Sequence, residues 1–536
     1  MTWFNSEEIS SASIISFSGQ VRDPIYGYID YLKGLEDLVM DSWPLQRLRY
    51  IYQLQAGHFV YPGATHTRFS HSLGVMYSSY KYISFLLRSL QASNLPEEVI
   101  GQARRNYREI TLATRLLGLL HDIGHGPLSH AFDKHVYRTR WFLGYRIGNH
   151  EVMGYLIYRD YIRNLIRGIT TANKKYLNID VDCLLELLDA GMKPPLGMKG
   201  YSDLTERGVI KEGEFYWSGG SGLEHIIRMV VRDYIYTSDI MDYLKRDSYF
   251  TGVPIGQIND DWIIRNSFIF EKDGRLTIAV ASKALDEVSR LFDARRLMYK
   301  FIYLHPVNVA FIETLGYLLR CIKSYVVNAL DGVFGQAGDY EKYINLTDYS
   351  FYTKLQELLF ASAQSYECED YLFANTALKS IFYRRKPVWK LLKRFTYDLD
   401  DVKVLFCEIG EHVQELIKRR VKSEVSAIFS NKGISDVDIN VTIDRVEAYP
   451  TAGAEIVNKI EIVDIKEGRV VYENTMTFEE FAKEHGILSE ALITVYLNRE
   501  KYKSLNNKDI EDIIGIVKEI ADSSIKGRRR DAPETS

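Results

Sequence analysis

Only four cysteines occur in 536 residues: Cys183, Cys321, Cys368 and Cys407. They are scattered and form no C-x-x-C pair. No disulfide framework is expected, which suits a reducing cytoplasm. Proline is scarce at 12 while tyrosine reaches 38, a balance that suits a helix-rich chain with a large core. No excess of one charge is present: the formal net charge is −4, so no global field draws the chain to nucleic acid or an anionic membrane. Long apolar runs are missing as well. The most apolar stretches, 116–120 and 307–319, are short or broken by charge, so no membrane contact is expected. The N-terminal residues lack the basic and apolar regions of a secretion signal. With 46% hydrophobic and 26% charged residues, global disorder is excluded.

What is abundant is histidine, in one place. Eight of the 12 histidines lie between His58 and His150, a window where an even spread would put about two. Imidazole ligates transition metals and moves protons near neutral pH, so the cluster points to metal or acid/base chemistry.

Periodicity organises the rest. Residues 21–29 read as a strand or hairpin, and Pro44–Gln55 as an amphipathic helix beginning after Asp41 and Ser42. Helices are expected over 70–90 and over 109–122, the latter apolar nearly all round and therefore central. Others begin near Ser129 and Asn149. Proline and glycine clusters make 193–222 a loop insertion, and helices resume over 223–248. Asp273-Gly274 between alternating apolar residues predicts a hairpin over 267–280. Helices are expected from 284 to about 430, strands within 436–475, and helices again over 478–498 and 507–523. Phe481 to Gly486 followed by Leu492 has helix-turn-helix spacing, but its second helix, Ser489–Asn498, carries too few basic residues to read DNA. The run from Lys526 is a basic tail. The expected division is a core over 1–330, a helical extension over 331–435, an α+β lobe over 436–525 and a disordered tail over 526–536.

The sharpest motif is His121-Asp122-Ile123-Gly124-His125, at the end of the apolar helix. Adjacent His and Asp can ligate one metal where a helix is ending. His71, on its own helix, and Asp239, on a helix starting near 223, can complete a set of two imidazoles and two carboxylates. Such a set leaves positions on a six-coordinate ion for water and a phosphate oxygen.

Four segments, in order, resemble the HD-domain deoxynucleoside triphosphate triphosphohydrolases: Pro62 to Val75, His121 to His130, His150-Glu151, and Asp239 to Asp247. The resemblance runs from about 20 to 315 and implies a prokaryotic-type HD-superfamily phosphohydrolase. The fold it implies is mostly α: an HD-domain helical core with a short β-hairpin and a smaller α+β C-terminal lobe. It implies a divalent metal (Mg, Mn, Fe, Ni or Zn) on His71, His121, Asp122 and Asp239. Arg68 and His125 would hold phosphate oxygens. His130 would be the acid/base residue, oriented by Asp133, with His150 and Glu151 extending that network. Gln53, Leu54, Tyr243, Asp247, Arg295 and Tyr303 would meet the nucleotide, and His305 matches too. Asp41, Gln46 and Arg49 match a guanine-nucleotide effector site, which implies a homo-oligomer, dimer or tetramer. Two departures bear on substrate: Ile240 stands where the family has a triphosphate-contacting lysine, and Leu304 replaces a glutamine near the sugar. At the effector site Arg22 replaces an asparagine.

The function expected is hydrolysis of deoxynucleoside triphosphates to deoxynucleoside and inorganic triphosphate. Two alternatives stay open: a phosphohydrolase of another nucleotide or phosphate ester, and a nucleotide-sensing or nucleic-acid-binding protein with a slow core.

Overall fold

The computed structural model describes residues 15–195, 200–211, 217, 220, 222–334, 340–383, 386–398, 405–406, 410–446 and 459–526. The basic tail beyond Lys526, parts of the 193–222 insertion and Cys407 lie outside the described residues. The fold is mostly helical with small sheets. It divides into two compact units. The first draws on Met1–Ala294, Lys323–Thr353 and Pro450–His485, and the second on Arg295–Ile322, Lys354–Tyr449 and Gly486–Ser536. The stretch expected as one lobe over 436–525 is therefore shared between them. Among the described residues no single helix is long and apolar enough to cross a membrane.

In the first unit the apolar helix Tyr107–Leu120 is buried on nearly every side. Helices Arg68–Arg88, Val181–Met192 and Leu223–Val231 pack around it. Arg115 is the fully buried guanidinium of this helix, and it is neutralised in place. It donates to Glu36 at 2.6 and 2.9 Å and lies over the rings of Phe17 and Tyr80. Strands β1 (Gly19–Asp23) and β2 (Gly27–Tyr31) form the expected antiparallel hairpin. Strands β3 (Ser267–Lys272) and β4 (Arg275–Ala281) form the second hairpin, with Asp273 and Gly274 both at positive φ. That twist is what a two-residue hairpin turn requires.

The second unit is built on β5 (Trp389–Tyr397) and β6 (Ile439–Val446). The next two strands, β7 (Lys459–Lys466) and β8 (Arg469–Thr477), belong to the first unit, where β7 pairs in parallel with β4 to give the order β3-β4-β7-β8. The last, β9 (Glu490–Asn498), is central to the antiparallel sheet β5-β9-β6. Helices Gly410–Phe429 and Asn507–Lys526 cover that sheet. Val413, Ile417, Val421 and Val425, four apart, meet Ala491, Ile493, Val495 and Leu497, two apart.

Several expectations are corrected. The segment expected as a second helix over Ser489–Asn498 holds strand β9 (Glu490–Asn498) and not a recognition helix, so the helix-turn-helix reading disappears with it. Leu492 and Tyr496 on its other face are buried too, and a strand buried on both faces shows no alternation to distinguish it from a buried helix. Strand β5 interrupts the helices expected up to 430, because pairing with β9 outweighs a locally ambiguous pattern. The Pro44–Gln55 helix stops at Arg47 and gives way to a 3₁₀ turn over Leu48–Tyr50. There the backbone turns to tertiary partners, Gln53 N–H to His66 O and Arg68 N–H to Ile51 O, both at 3.0 Å. Ser42 precedes the helix but donates its hydroxyl back to Val39 O. Cys321 and Cys368 form a disulfide, their Cα atoms 4.4 Å apart across 47 residues. Only the fold brings such distant cysteines together.

Candidate metal centre and histidine cluster

Three helix ends meet. The first is the start of Arg68–Arg88, which carries Arg68 and His71. The second is the end of Tyr107–Leu120, after which come His121 and Asp122. The third is the first turn of Ser238–Thr251, which carries Asp239 and is capped by the Thr237 hydroxyl accepting from Ile240 N–H. A carboxylate in a first helical turn also gains from the partial positive charge there.

The ligand-capable atoms of His71, His121 and Asp239 lie within 4.8 Å of one another. His71 Nε2 is 3.0 Å from Asp239 Oδ1, and His121 Nε2 is 3.7 Å from the same oxygen. His121 Nδ1 donates to Gly118 O at 2.8 Å, which fixes the ring and leaves Nε2 buried without a hydrogen-bond partner. An orphaned imidazole nitrogen beside two carboxylates is what a divalent cation would satisfy, so the residues fit a metal. The fourth expected ligand, Asp122, is adjacent but turned. Its Oδ2 pairs with Arg68 and lies 3.8 Å from His71, while Oδ1 is 3.3 Å from His125 and 3.4 Å from His121.

The electrostatics agree with that fit. Burial works against protonated His71, but Asp239 and Asp242 raise its pKa to about 10. The proton between His71 and Asp239 stands where a cation would compete for it. Burial pushes the Asp122 carboxyl up, yet Arg68, His121 and His125 hold it well below the usual range. Asp239 is likewise held down, against burial, by His121 and His71.

Beside the ligands lies a second group, His125, His130, Asp133 and His150, again with ligand-capable atoms within 4.8 Å. Asn149 caps the helix His150–Ile157 by accepting from Glu151 and Val152 N–H, which places His150 at its start. His150 Nδ1 donates to Asp133 Oδ2 at 2.6 Å, and His130 Nδ1 is 3.4 Å from the same oxygen. His125 stacks on His150 at 3.7 Å between ring centroids. Stacked rings project their nitrogens side by side rather than at one point, and Asp133 already engages Nδ1 of His150. This geometry suits a proton-handling network more than a second ion. Asp133 is held well below the usual carboxylate range by His150 and His130 despite its burial, and it raises His150 in return. His130 is the open end, with a side chain 58% exposed. Gly124 is required for this packing: a Cβ there would lie 2.0 Å from His150 O and 2.2 Å from Gly154 N.

The other expected residues divide. Glu151 pairs with Arg232 and accepts from Asn149, and its carboxylate is among the charges that raise the pKa of His150. Gln53 is buried with Oε1 unpartnered, and Leu54 is buried beside it. Tyr243 is half-buried. Asp247 is buried and bonded to His66 Nε2 at 2.7 Å. Arg295 lies over the Tyr299 ring, which meets Tyr303 edge-on. Arg295, Tyr303 and His305 belong to the second unit. At the expected effector site Gln46 Oε1 accepts from Arg49 Nε at 2.8 Å, the Arg49 guanidinium lies over Phe69, and Asp41 is exposed.

Sequence reasoning missed the support of His71. Its Nδ1 bonds Asp242 Oδ2 at 2.7 Å, and Arg246 holds Asp242 from Nε and Nη2 while reaching Asp23 from Nη1. A carboxylate on the far nitrogen fixes the tautomer and raises ligand basicity. The signal was present: Asp239 and Asp242 are three apart on one helix, so both can face His71.

A His, His-Asp, Asp cluster on a mostly helical core defines an HD-type centre. The chain is homologous to the SAMHD1 deoxynucleoside triphosphate triphosphohydrolases. It is 28% identical over 294 residues to that of Bos taurus, covering 54% of this chain and 45% of the relative. With that of Homo sapiens it shares 26% over 379 residues, 68% and 53% of the two chains. An uncharacterized protein of Methanocaldococcus jannaschii is 30% identical over 286 residues, 53% and 46% of the two chains. The chain thus spans about half the length of these relatives. No family model matches.

Proposed function

We propose that the chain is a metal-dependent hydrolase of deoxynucleoside triphosphates that releases deoxynucleoside and inorganic triphosphate. The observation that carries this is the convergence of His71, His121 and Asp239 beside Arg68, Asp122 and the His125–His130–Asp133–His150 network. The homology supports the substrate class.

His71, His121, Asp122 and Asp239 would hold a divalent ion, which would supply Lewis-acid charge neutralisation at a phosphoryl oxygen. Water attacks the α-phosphorus and gives up a proton to solvent as the bond to O5′ breaks. His130, the exposed end of the network, delivers a proton to O5′, and Asp133 with His150 holds that proton store in place. Arg68 neutralises charge on the phosphates, and His125, whose pKa burial and Arg68 hold well below the usual imidazole range, donates to a phosphate oxygen; Arg295 joins that role on the resemblance alone. Gln53, Leu54, Tyr243 and Asp247 meet base and sugar. Tyr303 packs against C2′ and so selects deoxyribose. Asp41, Gln46 and Arg49 take a guanine nucleotide that activates a homo-oligomer, dimer or tetramer.

Ile240 favours a second reading, hydrolysis of another nucleotide or phosphate ester. It is only 4% exposed and adds no cation where the resemblance expects a lysine. A panel of deoxy- and ribonucleoside triphosphates separates the two, run with and without GTP on protein of measured metal content. Inorganic triphosphate as product supports the first reading; orthophosphate supports the second. Tyr303→Ala should erode the preference for deoxyribose. Light scattering of the parent and Asp41→Ala, with and without GTP, tests assembly.

A further inference from the structure

The loop that carries the histidine network is held by a residue far away in sequence. Between His125 and His130 the chain passes through Leu128 at φ 62° and Ser129 at φ 53°. Residues with a Cβ avoid this left-handed region, and it persists only where surrounding structure enforces it. The enforcing group is Asp348. It is fully buried, with Oδ1 accepting from Leu128 N–H at 2.5 Å and Oδ2 from Tyr52 N–H at 2.6 Å. Its own helix, Asp348–Leu359, does not need it as a cap, because the Thr347 hydroxyl already accepts from Ser350 N–H. The two segments it joins are joined again by Ser129, whose hydroxyl donates to Tyr52 O at 2.6 Å and accepts from Arg68 Nε at 2.9 Å. Arg68 in turn pairs with Asp122. Arg47 braces the same loop by donating to His125 O at 2.7 Å and to Leu346 O at 2.6 Å.

We propose that Asp348 is a positioning residue of the active site: it clamps the Leu128–Ser129 turn to Tyr52, and through Ser129 sets Arg68 against Asp122. It touches neither ligand set nor reacting atoms. Its role in turnover rests on the phosphohydrolase reading above, whereas its hold on the turn does not.

The test uses the full metal-loaded chain at pH 8. Asp348→Asn keeps the shape but puts an NH₂ donor against a backbone N–H, so one of the two bonds is lost. Amide hydrogen exchange over 124–132 should quicken while the Tyr107–Leu120 helix stays protected. Metal content and KM should hold, and kcat should fall about 10–100-fold, as for loss of an outer partner of a working group. Ser129→Ala, a milder change should Asp348→Asn fold poorly, breaks the same chain one step later and should lower kcat by a similar factor. The double variant should lose little more than either single one. Unchanged exchange in Asp348→Asn overturns the clamp. Faster exchange with parental kcat, or fully multiplicative losses in the double variant, overturns the positioning role. A parent that turns over no nucleotide overturns the functional reading instead, and the exchange measurement still decides whether Asp348 holds the turn.

Discussion

Gly74→Ala should destabilise the protein although alanine is the better helix former. Gly74 lies inside the helix Arg68–Arg88, where on propensity alone the substitution gains about 1 kcal/mol. A Cβ at that position would lie 1.9 Å from Asp242 Oδ1 and 2.3 Å from Arg246 Nη2. Both groups are fully buried, so neither can swing into solvent. Asp242 must leave His71 Nδ1 or Arg246, and breaking a buried pair costs about 3–5 kcal/mol. The net expectation is a loss of about 2–4 kcal/mol. His71 also loses its orienting carboxylate, so metal affinity should fall about 10–100-fold. Gly168→Ala is the control. It lies on the helix Arg163–Ala172 with nothing within 4 Å of the added Cβ, and should stabilise by about 0.4–1 kcal/mol. Denaturant unfolding and metal titration of both variants read the two effects. A Gly74→Ala variant that gains stability like the control and binds metal like the parent would refute the idea that Asp242 is wedged against this helix to orient His71.

Asp239→Ala should lose bound metal by elemental analysis, because the remaining imidazoles hold a hard or borderline ion poorly; full metal content would place the site elsewhere. Arg115→Met leaves Glu36 buried without its cation and should cost about 3–5 kcal/mol in denaturant unfolding, with much of it recovered when Glu36 is made apolar as well. The Asp348 carboxyl is pushed up to about 7 by burial, only partly offset by its backbone bonds and by Arg47 and Arg68. A carboxyl raised in the folded state stabilises most at low pH and loses that contribution as pH rises through the folded value. Relative to Asp348→Asn, the parent should therefore lose about 1.4 kcal/mol per pH unit between about pH 4 and 7, and an opposite slope would contradict the buried assignment. Reduction of Cys321–Cys368, which closes a long loop, should lower the melting temperature of the second unit, the chain-entropy contribution being about 4 kcal/mol; no shift under reductant would mean the bond contributes nothing.

Much of the site was legible because its parts are local. His121-Asp122 at the end of an apolar helix and the crowding of histidines before residue 150 are each short-range patterns, whereas Asp239, expected on a helix starting near 223, lies in the first turn of a separate helix, Ser238–Thr251. The helices over 68–88 and 107–120 and the hairpin at Asp273-Gly274 follow from periodicity and turn chemistry, which neighbouring residues decide. The remainder depends on distance along the chain. Nothing near Leu492 says that its segment is a strand, since burial on both faces removes alternation and only β5 and β6 on either side settle the matter. Nothing near Cys321 points to Cys368. The turn of Asp122 toward Arg68 and the hold of Asp348 on Tyr52 and Leu128 arise across tens to hundreds of residues. The sequence thus determined which groups could carry the chemistry. The tertiary structure decided which of them meet, because a buried carboxylate takes whatever donors the packing brings within reach.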